Sequence, residues 1–361
     1  MSKSTGNTDE PRTPQTARVL ANFGEALAIV LDEPQIASEP GLSNDNKQGP
    51  DAENLQSNPH QTPEPGEVRR AVPLKKLPLL VAGDKVECEA GVDSTMRATR
   101  LIDRTSELSR PDRRGHLKAV AANITQLVIV CAPRPRPDAL LIDQFCVVAG
   151  NQRIRPLIVL NKSDLIDSKL GPSNDKADGN DQAQQQASYD ECRQLLDAYQ
   201  EAGFKTLLIN TLSADGASQM RQALSAHTSV LVGQSGVGKS SIIQRILPDR
   251  EIRVGAVSTA TGLGAHTTTV SFFYDLDHES ALIDSPGVRQ FSVDYLEANK
   301  IEEGFPEIQK FAEQCRFQDC RHAAEPGCAV NQAVKENNIN HQRFSNYQKL
   351  CSVADNTPVR R

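Results

Sequence analysis

No uninterrupted apolar run of roughly 18 residues or more occurs in the chain, so no helix is expected to cross a membrane. The first segment, MSKSTGNTDEPRTPQTA, has no hydrophobic core of the kind that drives secretion, and a cytoplasmic location is the expectation. An excess of positive charge is missing too. The net charge is -6, which excludes a general polycation and leaves any nucleic-acid contact to a local patch. Apolar residues are modest in number, at 38% with a mean hydropathy of -0.46. Part of the 361 residues is therefore expected to stay unstructured, with the core concentrated elsewhere. No internal repeat is visible.

The remainder divides into stretches of different character. Residues 1–17 are polar and read as a disordered tail. RVLANFGEALAIVLDE (Arg18–Glu33) alternates like a strand pair, and Pro34–Gly66 reads as a flexible insertion with little to bury. Short β-like runs broken by Pro and Gly continue to residue 118, so 18–118 is expected to be a small β-barrel. Between Glu67 and Lys118 there are twelve Lys/Arg against eight Asp/Glu, whereas Met1–Gly66 has four against ten. The acidic balance therefore sits in the flexible part and the barrel-like part is basic. Residues 119–298 alternate buried strands (QLVIVCA, RPLIVLNK, KTLLINT, TSVLVG, SALIDSPG) with helical stretches, the pattern of a parallel sheet with helices on both faces. Polar, Gln-rich Asp167–Ala187 reads as a loop insertion in that domain, and 299–361 as a mostly helical C-terminal domain.

GQSGVGKS, Gly233–Ser240, follows an apolar strand and opens a helix. That context makes it a phosphate-binding loop. The backbone N–H groups of Gly233, Gln234, Ser235, Gly236, Val237 and Gly238, with the helix N-terminus, would surround a polyphosphate. Lys239 would reach the β- and γ-phosphates and Ser240 would ligate Mg²⁺, with Ser241 beside it.

NKSD, Asn161–Asp164, ends another buried strand. A carboxylate at Asp164 can accept from guanine N1–H and N2–H, a donor pair adenine lacks, so it would select GTP. Asn161 would organise the loop and Lys162 would cover the purine face. Ser213–Ala214 fits a loop whose amide donates to guanine O6. In ordinary GTPases the phosphate loop comes first. Here the order is NKSD, Ser-Ala, phosphate loop, GAHTTT, DSPG: the same cycle starting from another point. Domain termini often lie close together, so joining them and cutting elsewhere can leave the sheet intact.

Asp284 of DSPG is placed to hold Mg²⁺ through water, and the Gly287 amide to meet the γ-phosphate. Thr267 or Thr268 closes on Mg²⁺ and the γ-phosphate; the sequence leaves both open. Many GTPases carry a water-orienting Gln after the DxxG glycine; Val288 here cannot do this. His266 is the candidate for the attacking water, alongside Lys239 and Thr268 as candidate catalytic groups. Cys315, Cys320, His322 and Cys328, spaced C-x4-C-x-H-x5-C, form a Cys3His set suited to one closed, structural Zn²⁺. The connection from DSPG through Val288–Asn299 is expected to carry nucleotide state to that domain.

The rotated motif order, the basic β-rich region before it and Cys3His after it together resemble the bacterial ribosome small subunit-dependent GTPase A family (RsgA, also called YjeQ). The resemblance runs from about Ala17 to the C-terminus without the insertions. It rests on Asn161, Lys162, Asp164, Ser213, Ala214, Gly233, Gly238, Lys239, Ser240, His266 to Thr268, Asp284, Pro286, Gly287 and the four Cys3His residues. It implies an N-terminal OB-fold, a circularly permuted GTPase domain and a C-terminal zinc domain. It also implies GTP hydrolysis to GDP stimulated by the small (30S) ribosomal subunit late in its maturation, with 16S rRNA as partner and the protein a monomer. Two other readings use fewer of these residues. One is a metabolic kinase, which needs no guanine pair. The other is a non-catalytic RNA-binding module in which nucleotide only stabilises the fold.

Overall fold

The computed structural model describes residues 14–32, 66–91, 95–112, 116–165, 179–262, 270–285, 293 and 295–356. The tail up to residue 13 and nearly all of the 34–66 insertion lie outside them.

Strands β1 (Gln15–Asn22), β2 (Leu27–Leu31), β3 (Val68–Pro73), β4 (Lys85–Ala90) and β5 (Met96–Leu101) run in the order β1-β2-β3-β5-β4, and β4 pairs back onto β1. The closed result is an OB-fold barrel in which β3–β5 is the parallel pair. Alternate residues point inward, as the strand period requires: Ala17, Val19, Leu27, Ile29, Val86, Cys88, Met96 and Ala98 fill the interior. Strand β1 starts at Gln15, so ordered sheet begins inside the segment expected to be tail. Strands β6 (Glu107–Pro111) and β7 (Leu117–Ala122) form a separate two-stranded hairpin. The barrel therefore stops at Leu101, short of residue 118, and the expected 118/119 boundary cuts through β7.

The second half of the sheet is parallel: β10 (Lys205–Leu208), β9 (Arg155–Leu160), β8 (Gln126–Cys131), β11 (Thr228–Val232) and β13 (Ala281–Asp284) lie side by side, and antiparallel β12 (Phe272–Asp275) follows. All six residues of β8 are buried, as a strand covered on both faces demands. Helices α1 (Ala139–Asn151), α2 (Gly179–Glu201), α3 (Ala214–Leu224), α4 (Lys239–Ile246) and α5 (Arg250–Thr261) connect the strands. Asp138 caps α1 by accepting from the Leu141 amide at 3.1 Å, and Gly262, left-handed at φ 65°, ends α5. The Gln-rich loop expected over 167–187 is corrected in part. Residues 179–187 form the first turns of α2; their Ala and Gln residues are good helix formers, and Gly, Asn and Asp stand at its start.

Barrel and GTPase sheet are one surface, because β1 pairs with β12 at Ala21–Phe272. The C-terminal helices α6 (Pro306–Ala312), α7 (Ala329–Lys335) and α8 (His341–Asn356) are anchored to α1. A 3-10 segment, Ala298–Gly304, lies so close to α1 that a Cβ on Gly304 would sit 2.5 Å from the Val147 nitrogen. Arg343 of α8 completes the anchor. Its guanidinium donates to Asp143 Oδ1 on α1 at 2.5 Å and to both Glu307 oxygens at 2.5 and 3.0 Å. The rings of Tyr199, Phe204 and Phe305 surround it at 4.6–5.1 Å. Asp143 also accepts from the Tyr199 hydroxyl and the Asn346 amide, both at 2.7 Å. Of the Val288–Asn299 connection expected to carry nucleotide state, residues 288–292 and 294 lie outside the described residues. Arg343→Ala strands the buried Asp143 carboxylate, and a loss of about 3–5 kcal/mol is expected. Chemical denaturation of the variant measures it.

Candidate nucleotide and metal sites

Because β8, β9, β10, β11 and β13 are parallel, their C-terminal ends share one edge, where open α/β sheets bind ligands. NKSD leaves β9, the phosphate loop leaves β11 and Asp284 ends β13. Loops distant in sequence thus converge.

Their contact is direct. Asn161 is 3% exposed, and its Nδ2 donates to the Val237 carbonyl of the phosphate loop at 3.1 Å. Its Oδ1 accepts from the Thr211 hydroxyl at 2.6 Å and the Thr211 amide at 3.2 Å. Lys162, in a left-handed conformation with φ 62°, donates through Nζ to the Gly236 carbonyl at 2.6 Å and to the Arg134 carbonyl at 3.2 Å. The NKSD strand end therefore grips the GQSGVGKS loop. Gly238 is required at this junction. Its φ is +100°, and a Cβ there would lie 2.4 Å from Asn161 Nδ2.

Within the loop, Val237 is buried while Ser235, Gly236, Ser240 and Ser241 are exposed, with Gln234 half-buried. Lys239 Nζ donates to the carbonyls of Gly233 and Gln234 at 2.7 and 2.6 Å, folding the amine over its own loop. Asp164 is exposed in the short 3-10 turn Ser163–Leu165 beyond β9. Ser213 caps α3, accepting from the Gly216 amide at 3.0 Å, and Ala214 is exposed as its first residue. Thr211 fastens Asn161 to this segment; a threonine after a strand carries no distinctive sequence signal.

Asp284 is mostly buried, and burial pushes its carboxyl up while the facing guanidinium of Arg250 opposes the rise. Arg250 donates to Asp284 Oδ2. A buried carboxylate at the phosphate edge, with a hydroxyl from Ser240 on the adjoining helix start, is a donor set that fits Mg²⁺. His266, Thr267, Thr268, Pro286 and Gly287 lie outside the described residues.

The second site is built by the C-terminal segment. Donor atoms of Cys315, Cys320, His322 and Cys328 all lie within 4.8 Å of one another. His322 takes φ 57° and turns Nδ1 to Cys328 Sγ at 3.4 Å and Cys315 Sγ at 3.6 Å. Its other nitrogen, Nε2, meets Glu302 Oε1 at 3.1 Å, and the Tyr347 hydroxyl donates to the same oxygen at 3.2 Å. A carboxylate on the outer nitrogen fixes the tautomer that leaves Nδ1 as the ligand atom. The Asn331 amide donates to Cys328 Sγ at 3.4 Å, supporting a thiolate. Four convergent soft and borderline donors can hold a metal ion. Glu302 was invisible to spacing arguments, since it lies outside the C-x4-C-x-H-x5-C run. None of the described helices is long and apolar enough to cross a membrane.

A family model described as RsgA GTPase matches residues 101–294. The small ribosomal subunit biogenesis GTPase RsgA of Ectopseudomonas mendocina is 41% identical over 287 residues, covering 80% of this chain and 78% of the relative. The protein of the same name from Azotobacter vinelandii is 42% identical over 287 residues, again 80% and 78%. Among solved structures, YjeQ from Thermotoga maritima superposes with a TM-score of 0.67 at 21% identity, covering 95% of this chain and 99% of that one. YloQ, described as a circularly permuted GTPase, gives 0.65 at 20% identity and 98% coverage of both. These two likenesses bear on the fold, which is the permuted GTPase arrangement. The sequence matches bear on kinship, and by them the chain belongs to the RsgA GTPase family.

Proposed function

We propose that the protein hydrolyses GTP to GDP and phosphate and acts in biogenesis of the small ribosomal subunit, which stimulates the reaction late in maturation. One observation carries the nucleotide half of this reading: Asn161 and Lys162 bond the carbonyls of Val237 and Gly236 in the phosphate loop. A guanine over NKSD and its phosphates over GQSGVGKS would then belong to one ligand. The names of the relatives carry the ribosomal half.

In this reading the amides of Gly233 through Ser241 and the Lys239 amine hold the β- and γ-phosphates. Lys239 gives up its two loop carbonyls for phosphate oxygens, exchanging neutral acceptors for charged ones. Asp164 accepts from guanine N1–H and N2–H, the Lys162 stem covers the purine and the Ser213–Ala214 segment donates to O6. Mg²⁺, held by Ser240, Asp284 and Thr267 or Thr268, would neutralise charge on the β- and γ-phosphate oxygens. The Gly287 amide meets the γ-phosphate, and His266 orients the attacking water in place of the glutamine that Val288 displaces. The metal of the Cys3His set is Zn²⁺, one per chain and structural, because four protein ligands close its tetrahedron. The rRNA partner is 16S rRNA. Lys75, Lys76, Lys85 and Arg97 are exposed on the barrel and support phosphate-backbone contact. Arg100 and Arg104, by contrast, are paired with Glu87 and Asp84. The protein works in the cytoplasm as a monomer.

Hydrolysis of GTP and ATP with and without purified small subunits tests the whole reading. GTP turnover should exceed ATP turnover and rise with subunits, and His266→Ala should lose that rise. Equal GTP rates with and without subunits would contradict it. Asp164→Asn should weaken GTP binding about a hundredfold and shift preference to xanthosine triphosphate, whose O2 accepts where guanine donates; competition binding reads this out. Cys315→Ser should empty the metal site and lower the unfolding temperature, measured by metal content and calorimetry.

A further inference from the structure

Arg250 is the first residue of α5, between the phosphate-loop helix and the 263–269 segment that carries the candidate switch residues. Its Nη2 donates to Asp284 Oδ2, across 34 residues of sequence. The Asp284 side chain is 15% exposed and that of Arg250 42%. Of this ion pair the carboxylate is the more buried member and the guanidinium the more exposed. Tyr274 on neighbouring β12 also interacts with Arg250. Among the described residues, Arg250 is the charged group facing this carboxylate.

A carboxylate this largely buried is costly without a cation beside it. The fold supplies one from its own chain. Yet Asp284 is also the residue read above as the water-mediated holder of Mg²⁺. The guanidinium bonds Asp284 Oδ2, so a water on a divalent ion would have to compete with it for that carboxylate. Two cations side by side would also repel. We propose that Arg250 is the resident counter-ion of Asp284 in the nucleotide-free protein, and that Mg²⁺ arriving with guanine nucleotide displaces it. Arg250 is then a positioning residue. It keeps the empty edge from being left with a bare buried charge, and it sets how much Mg²⁺ is needed to retain nucleotide. The proposal rests on the Mg²⁺ reading of Asp284, and the experiment separates the two.

The full chain is freed of nucleotide enzymatically, without chelator, so that the Cys3His site keeps its metal. Release of a fluorescent GDP analogue is then followed across a Mg²⁺ titration. Arg250→Gln should lower the Mg²⁺ concentration that half-maximally slows release by about fivefold, the weight of one partly solvated ion pair. Arg250→Lys, which keeps the charge, should titrate near wild type. Asp284→Asn should abolish the Mg²⁺ dependence, and adding Arg250→Gln to it should change nothing more. If Arg250→Gln coincides with wild type while Asp284→Asn still loses the dependence, the counter-ion role is wrong and the Mg²⁺ role of Asp284 stands. A higher Mg²⁺ requirement in Arg250→Gln also overturns the proposal, since it makes Arg250 a ligand of the nucleotide. If Asp284→Asn titrates like wild type, the Mg²⁺ reading itself falls, and the displacement with it.

Discussion

The Asn161 side chain joins three segments that the chain order keeps apart: the end of β9, the phosphate loop 76 residues later, and Thr211 beyond β10. Every hydrogen bond it makes is buried, so none exchanges freely with water, and breaking one would leave a polar atom unsatisfied. The spacing between the NKSD and GQSGVGKS loops is set here. A guanine nucleotide has a fixed span, and a site for it must hold its two ends at a fixed separation before the ligand arrives. Lys162 reinforces the same junction from a backbone conformation that non-glycine residues seldom adopt, a cost the surrounding bonds must offset.

This constraint explains why the domain tolerates a rotated order. Contacts at the edge depend on which strands are neighbours, and the neighbours do not depend on where the chain starts. The relocated ends became attachment points. The barrel precedes the permuted domain and shares its sheet through β1 and β12. The C-terminal helices follow it and are pinned on α1 by Arg343 and the close approach of Gly304. Helix α5 has Arg250 at Asp284 at one end, and at the other the Thr261 carbonyl accepts from Arg70 of the barrel at 3.4 Å. The barrel and the Asp284 carboxylate thus both bond one short helix.

Much of the site could be read from letters because phosphate loops, NKxD and Cys3His depend on local backbone geometry and fixed ligand spacing. Asn161, Gly238, Lys239 and the four metal-binding side chains are such positions. The helix over residues 179–187 was not readable: a polar, Gln-rich run looks like a loop, and becomes helical here as the leading turns of α2. The β6–β7 hairpin was merged with the barrel because strand runs carry no mark of which sheet they join.

By itself, the sequence determined most of the kinds of element, their order, the NKSD and GQSGVGKS motifs, and the Cys3His set, since each follows from periodicity or from short-range spacing. Only the tertiary structure decided what sits behind them. It chose Thr211 to hold Asn161, Glu302 to hold His322, Arg250 to face Asp284 and Arg343 to seat the C-terminal helices. Each of these partners comes from a different element. Its role arises from burial, where a polar group must find whatever partner the packing brings within reach, and no local pattern records that choice.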